Sequence, residues 1–282
     1  MIRYAQFAGS WYPKDPRTLR QLVEKAVSDV RKKADFQAGP CRFAVLPHAG
    51  LFYSKAGIAP FFAADLSRVE RVLILSPSHY ANLNEDQLVS CPLSACQTPL
   101  GTLEAFSLPN AQDRYGSAIQ AEHALEMALP FLAALEHPPQ VGMALISHFS
   151  DPHVVEAMSA TLIDQLGSQE LEAGTTAVIA SSDFTHYGPR FGYTPYQSKA
   201  QYRVKEDDLT LSHLLCEGRV TDAFAFCKAH RSTVCGYAPA MLVSLMAKKM
   251  NSMGWVADYY TSGDVSASDD AEFVAYSTIL WR

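Results

Sequence analysis

Between residues 16 and 33, in PRTLRQLVEKAVSDVRKK, apolar side chains recur at Leu19, Leu22, Val23, Ala26, Val27 and Val30. That spacing puts them on one face of an amphipathic helix, and Pro16 suits its first turn. Beyond it the pattern changes. RFAVLPHAG, RVERVLILSPSH, QVGMALIS and TTAVIASSD each carry a short, nearly continuous apolar run. Such runs predict strands covered on both faces. Between them lie segments that read as helices: YSKAGIAPFFAADL, residues 117–135, and DPHVVEAMSATLIDQL. Pro130 is expected to kink or interrupt the second of these. Residues 198–252 read as mostly helical, and VADYYTSGD and FVAYSTILW return to strands. Prolines and a glycine break up residues 82–110, which read as a hairpin or irregular insertion. The sum is an α/β fold, a three-layer sandwich with a mainly parallel central sheet flanked by helices. With no repeat, low-complexity stretch or polar linker, one domain over residues 1–282 is the simplest organisation.

Composition narrows the class. Of 282 residues, 48% are apolar and 18% charged, enough for a large core. The formal net charge is −6, with no basic cluster, which argues against nucleic acid or an anionic membrane surface as partner. MIRYAQFAGSWYP lacks the basic and apolar regions of a signal peptide, and no apolar run reaches membrane-spanning length. A soluble, cytoplasmic protein is expected. The six cysteines form no CxxC pair, which excludes a zinc ribbon, and the length of the chain excludes a small disulfide scaffold.

Three of the apolar runs end on chemically capable residues: Pro47-His48, Ser76-Pro77-Ser78-His79, and Asp183-Phe184-Thr185-His186. In open α/β sheets, ligands sit beyond the carboxyl ends of the strands. If the strands are parallel, these residues reach one rim. A single histidine after a strand is more often a hydrogen-bonded structural residue. A pair, each framed by Pro, Ser or Gly, favours a shared pocket. Two imidazoles with a carboxylate or thiolate make a metal site. Asp183 and His186 read as a ligand pair or an acid/base couple, the alternative being a cap on the turn after the strand. Cys235 precedes an apolar helix that starts near residue 237, where the helix dipole favours a thiolate. The alternative is a buried core cysteine. Glu122, His123 and Glu126 are placed on one helix, where a lone His-x-x-Glu pair is better read as pocket-lining or structural than as a di-metal motif. Trp11 and Tyr12 are candidates for aromatic pocket lining or for core anchors. His137, His148, His153, His213 and His230 lack a comparable frame and read as structural or surface residues.

Taken in order, AGSWYP, PHAGLFYS, SPSHY, EHALEMALPFL, SSDFTHYG, VCGYAP and TSGD resemble the Memo family, in its prokaryotic form sometimes called AmmeMemoRadiSam system protein B. The resemblance runs from Ala8 to about Tyr276. It implies a fold similar to the class III extradiol ring-cleaving dioxygenases, which hold non-haem iron. It further implies His48, His79 and Cys235 as the metal ligands, with His186 as the acid/base residue beside Asp183. Trp11, Tyr12, Tyr80 and His123 become the expected substrate pocket. Tyr80 stands where many relatives have a second histidine, Leu51 where a tyrosine is usual, and Lys55 where a small residue is usual. These changes alter the pocket rim rather than the three ligands.

Two functions follow as expectations. In one, Fe(II), with copper or zinc as alternatives, serves an oxidoreductase or dioxygenase acting on a small aromatic substrate, His186 moving the substrate proton. In the other, the pocket binds a metal, small molecule or peptide without turnover, in redox signalling or in assembly with a radical-SAM protein. Zinc-assisted hydrolysis in the same site is a third.

Overall fold

The computed structural model describes residues 1–34, 36, 39–266 and 271–282. The strands are β1 (Ile2–Arg3), β2 (Phe43–Leu46), β3 (Arg71–Pro77), β4 (Leu88–Val89), β5 (Ala95–Thr98), β6 (Gly101–Glu104), β7 (Gln140–Ile146), β8 (Thr176–Ser181), β9 (His186–Tyr187), β10 (Gly254–Thr261) and β11 (Phe273–Trp281). The helices are α1 (Pro16–Arg31), α2 (Leu51–Ala63), α3 (Gly116–Ala121), α4 (Leu129–Ala133), α5 (Pro152–Leu166), α6 (Ser168–Ala173), α7 (Ala200–Cys216), α8 (Val220–Ala229), α9 (Tyr237–Lys249) and α10 (Ser262–Val265).

The large sheet runs β10-β11-β2-β8-β3-β7-β4, with β9 paired to β11. Its four central strands, β2, β8, β3 and β7, are parallel. The edges are antiparallel: β10 and β11 on one side, β4 on the other. The sheet is therefore mixed, with the expected parallel centre and antiparallel edges, rather than purely parallel. Only the crossover-connected central strands carry the continuous apolar runs from which parallel pairing was inferred.

Side chains alternate along each central strand and build two cores. Ala44, Leu46, Val72, Ile74, Ala177 and Ile179 face one way, onto α1, α2 and α4. Phe43, Val45, Leu73, Leu75, Val178 and Ala180 face the other, onto α5, α7, α8 and α9. The three layers follow directly, since both sheet faces are apolar and each must be covered. In α1, Leu19, Val23, Ala26 and Val30 are the buried residues, and Asp15 caps the helix by accepting from the Thr18 N–H.

Residues 82–110 do contain a hairpin, β5–β6, which joins β1 in a separate three-stranded sheet. The helix expected over 117–135 is not continuous. It breaks at Glu122, which is extended, and resumes as a 3₁₀ turn at His123–Leu125 and then as α4. Pro130 lies in the first turn of α4, where its missing N–H costs nothing, so it starts a helix instead of kinking one. His123 and Glu126 therefore do not share a helix face.

Candidate metal centre

In the sheet, Leu46 pairs with Ser181, and Leu75 with Ala180. The carboxyl ends of β2, β8 and β3 are thus level, and the segments that follow them leave from one edge. Those segments carry His48, Asp183 and His79. The amino end of α9 packs onto the same edge and brings Cys235, which immediately precedes its cap residue Gly236. His48 Nε2 stands 3.2 Å from Cys235 Sγ. The donor atoms of His48, His79 and Cys235 all lie within 4.8 Å of one another.

The hydrogen bonds around these histidines fix which nitrogen each one offers. Ser181 Oγ donates to the Ala124 carbonyl at 2.6 Å, so at 3.0 Å it is an acceptor for His48 Nδ1–H. His48 therefore presents an unprotonated Nε2 to Cys235. Glu122, almost fully buried, takes the His79 backbone N–H on Oε2 at 2.7 Å and His79 Nδ1 on Oε1 at 2.8 Å. His79 is likewise left with Nε2 free. A carboxylate behind a histidine is the usual way a ligating imidazole is oriented and made more basic.

Asp183 has a different task from the expected one. Its Oδ1 accepts the backbone N–H groups of His48 at 2.8 Å and Ala49 at 3.3 Å, so it anchors the β2 loop. His186 Nδ1 instead faces the carbonyls of Phe184 at 3.0 Å and Thr233 at 3.1 Å. Carbonyls only accept, so Nδ1 carries a hydrogen and Nε2 is the nitrogen left for a ligand. His186 opens on a cleft of about 810 Å³ whose inner wall is Trp11, His48, His79, His123 and Asp183. Cys235 lines a second cavity of about 300 Å³ together with His79 and His148. The donor triad thus sits in the partition between two cavities.

Of the expected pocket residues, Trp11 and His123 line the cleft, their rings 4.4 Å apart. Tyr80 is exposed and stands beside His123 at 5.6 Å, outside the cleft wall. Tyr12 is a core anchor: it is buried, and its hydroxyl donates to Glu126 at 2.6 Å. The residues that sequence reading did not single out are Ser181, Thr233 and the carboxylate role of Glu122. Each acts through a partner at least 43 positions away.

Burial governs the electrostatics. It holds His48 well below the usual histidine value, aided by repulsion from His123 and His79. Burial is the largest influence on Glu122 and pushes it upward, but hydrogen bonds and charge interaction with His79, together with the Ala124 N–H, keep the carboxyl below its usual value. Burial, with the Asp183 carboxylate, raises the Cys235 thiol well above its ordinary value, so the helix terminus does not make a free thiolate here. The Cys235 sulfur lies between His48 Nε2 at 3.2 Å and the Asp183 carbonyl, to which the thiol donates at 3.6 Å, and a bound cation would favour its thiolate form. The donor set fits such an ion: two neutral imidazoles and a thiolate suit zinc, iron or copper.

Burial lowers the His123 pKa from 6.5 to about 4. Below 6.5 the unfolded chain takes up a proton that the folded chain refuses. The stability tied to neutral His123 is therefore present above 6.5 and lost as pH falls toward 4, on the order of 3 kcal/mol. Denaturant unfolding of the metal-free protein is expected to show this loss between pH 7 and 4.5, reduced in His123→Gln. Equal slopes for the two proteins would contradict it.

Gly236 has a steric reason to be glycine. A Cβ there would lie 2.4 Å from the Ser181 carbonyl oxygen and 2.5 Å from Ser182 Cβ. Gly236→Ala is expected to push α9 off the end of β8, costing about 1–3 kcal/mol and moving Cys235 away from His48. Chemical denaturation together with metal affinity checks this, and a variant matching wild type in both would contradict it.

A family profile described as Memo-like protein matches residues 3–280. A MEMO1 family protein of Thermococcus onnurineus is 30% identical, with all of both chains covered. One from Schizosaccharomyces pombe is 29% identical, with 98% of each covered. One from Methanopyrus kandleri is 28% identical over 100% of this chain and 99% of its own. Among the described residues no helix is long and apolar enough to cross a membrane.

Proposed function

This chain belongs to the Memo-like protein family, and from that footing we propose that it is a metal-dependent oxidoreductase acting on a small hydroxylated aromatic. The observation that carries the reading is the convergence of His48, His79 and Cys235 within 4.8 Å in the partition beside a cleft on which His186 also opens. A redox-active ion, Fe(II) foremost, held by the triad would supply the electron transfer to dioxygen that side chains cannot.

The chain's own residues do the rest. Trp11 and His123 offer flat faces against which a ring stacks. His186 Nε2 takes the proton of a substrate hydroxyl and later returns one, while the Phe184 and Thr233 carbonyls hold its ring in place. Ser181 and Glu122 keep the two ligand imidazoles turned toward the cleft. Asp183 fixes the loop that carries His48.

In Fe(II)-loaded protein, His186→Ala is expected to lower catechol-dependent oxygen uptake by about 10²–10⁴-fold while leaving bound iron unchanged. No acceleration of oxygen uptake by the loaded wild type with any catechol tried would overturn the oxidoreductase reading. The outer cleft favours a second reading. There Arg190 and Phe191 extend the space beyond what one ring fills, which suits capture of a peptide without turnover. Retained iron, no oxygen uptake and tight peptide binding would select it.

A further inference from the structure

Next to the first triad lies a second donor set built on the other nitrogen of the same histidine. Through the single oxygen Oε1, Glu122 faces His79 Nδ1 at 2.8 Å and His123 Nδ1 at 3.2 Å. The donor atoms of these three residues also lie within 4.8 Å of one another. The approach of His123 to Glu122 is close, but its angle is not that of a hydrogen bond. His123 Nδ1 is buried and, among the described residues, has no hydrogen-bond partner. His123 is 7% exposed and Glu122 1%. Buried polar atoms are almost always partnered, so an orphan beside a buried carboxylate and a second imidazole calls for a ligand. Orientation of His79 explains Glu122, but it leaves the His123 nitrogen unexplained.

We propose that His79 Nδ1, Glu122 Oε1 and His123 Nδ1 form a second metal position, adjacent to the first and sharing His79. It rests on the first reading only through that shared ring. Donors about 2.0–2.2 Å from one ion stand roughly 3 Å apart; the two separations to Glu122 Oε1, 2.8 and 3.2 Å, are near this, and all three donors lie within 4.8 Å. Two imidazoles and a carboxylate, without sulfur, suit a divalent first-row ion such as Zn(II) or Fe(II), whereas the thiolate triad tolerates softer ions. Binding displaces the proton that His79 Nδ1 gives to Glu122, and this proton leaves to solvent. No electrons change hands. With that proton gone His79 would be an imidazolate, able to offer Nε2 to the first position and Nδ1 to the second. The His79 backbone N–H remains on Glu122 Oε2 throughout.

Titration of the full chain with Co(II) separates the two positions, because only a thiolate ligand gives a sulfur-to-metal charge-transfer band. Wild type is expected to bind two equivalents, one with the band. His123→Ala is expected to bind one equivalent with the band, and Cys235→Ala one without it. Glu122→Gln, checked by its melting curve, repeats the His123→Ala result should that variant not fold. One equivalent with the band in wild type and in both His123→Ala and Glu122→Gln would overturn the second position and leave the first standing. Loss of all cobalt in Cys235→Ala would also overturn it. No binding by wild type would overturn both.

Discussion

Glu126→Ala is expected to destabilise the protein by about 3–5 kcal/mol, the scale for removing one partner of a fully buried ion pair. Arg3 and Glu126 are both completely buried and meet at 2.6 Å. Arg3 also donates to the carbonyls of Ile119 at 3.1 Å and Glu122 at 2.8 Å. Glu126 accepts from the Tyr12 hydroxyl and from the backbone N–H groups of Gln6 and Phe7. One carboxylate thus ties the amino-terminal segment, with Trp11 at its end, to the turn that carries Glu122 and His123. The variant leaves a buried guanidinium without its counter-charge and several donors without an acceptor. Denaturant unfolding measures the cost, and a loss under 1 kcal/mol would place the pair among exposed salt bridges in its effect. The companion result is functional: a freed Trp11 wall is expected to loosen the cleft, read as increased protease cleavage within the first 12 residues.

Cys235→Ala is expected to weaken binding of the first equivalent of metal by more than about a hundredfold, beyond the 10–100-fold typical of losing a second-layer partner. The thiol is buried and uncharged without an ion, so a cation gains a full thiolate there, displacing one proton. The methyl group of alanine offers nothing in return, and His48 Nε2 then faces an apolar gap. Competition against a chelator of known affinity, with Co(II) or Fe(II) under anaerobic conditions, reads the change directly. Equal affinities for wild type and variant would show that Cys235 is a bystander at 3.2 Å.

How far the site was legible differs from residue to residue. His48 and His79 stood out because each ends an uninterrupted apolar run, and parallel neighbouring strands deliver such endings to one edge. The four parallel strands and two covering layers followed from the same runs. The antiparallel edges did not, because β10 and β11 pair by register rather than by any local signal. Cys235 was ambiguous from its own surroundings and became a ligand candidate only through the family resemblance. The helix terminus is visible in sequence, whereas the burial that opposes a free thiolate there comes from the fold. Asp183 was read beside His186 because three positions separate them, yet its bonds run to His48 and Ala49 across 135 and 134 positions. The Arg3–Glu126 pair spans 123 positions and leaves no trace in local pattern. Periodicity carried the helix over 117–135 straight through Glu122. The capture of that carboxylate by His79 and the Ala124 N–H, which accompanies the break, is a tertiary event.

The central claim is that His48, His79 and Cys235 together hold one ion. X-ray absorption on protein loaded with a single equivalent of Zn(II) tests it most directly. One sulfur at about 2.3 Å and nitrogen neighbours at about 2.0–2.1 Å are expected, with the sulfur lost in Cys235→Ala. A shell of nitrogen and oxygen alone in wild type, or zinc that washes away on gel filtration, would contradict it.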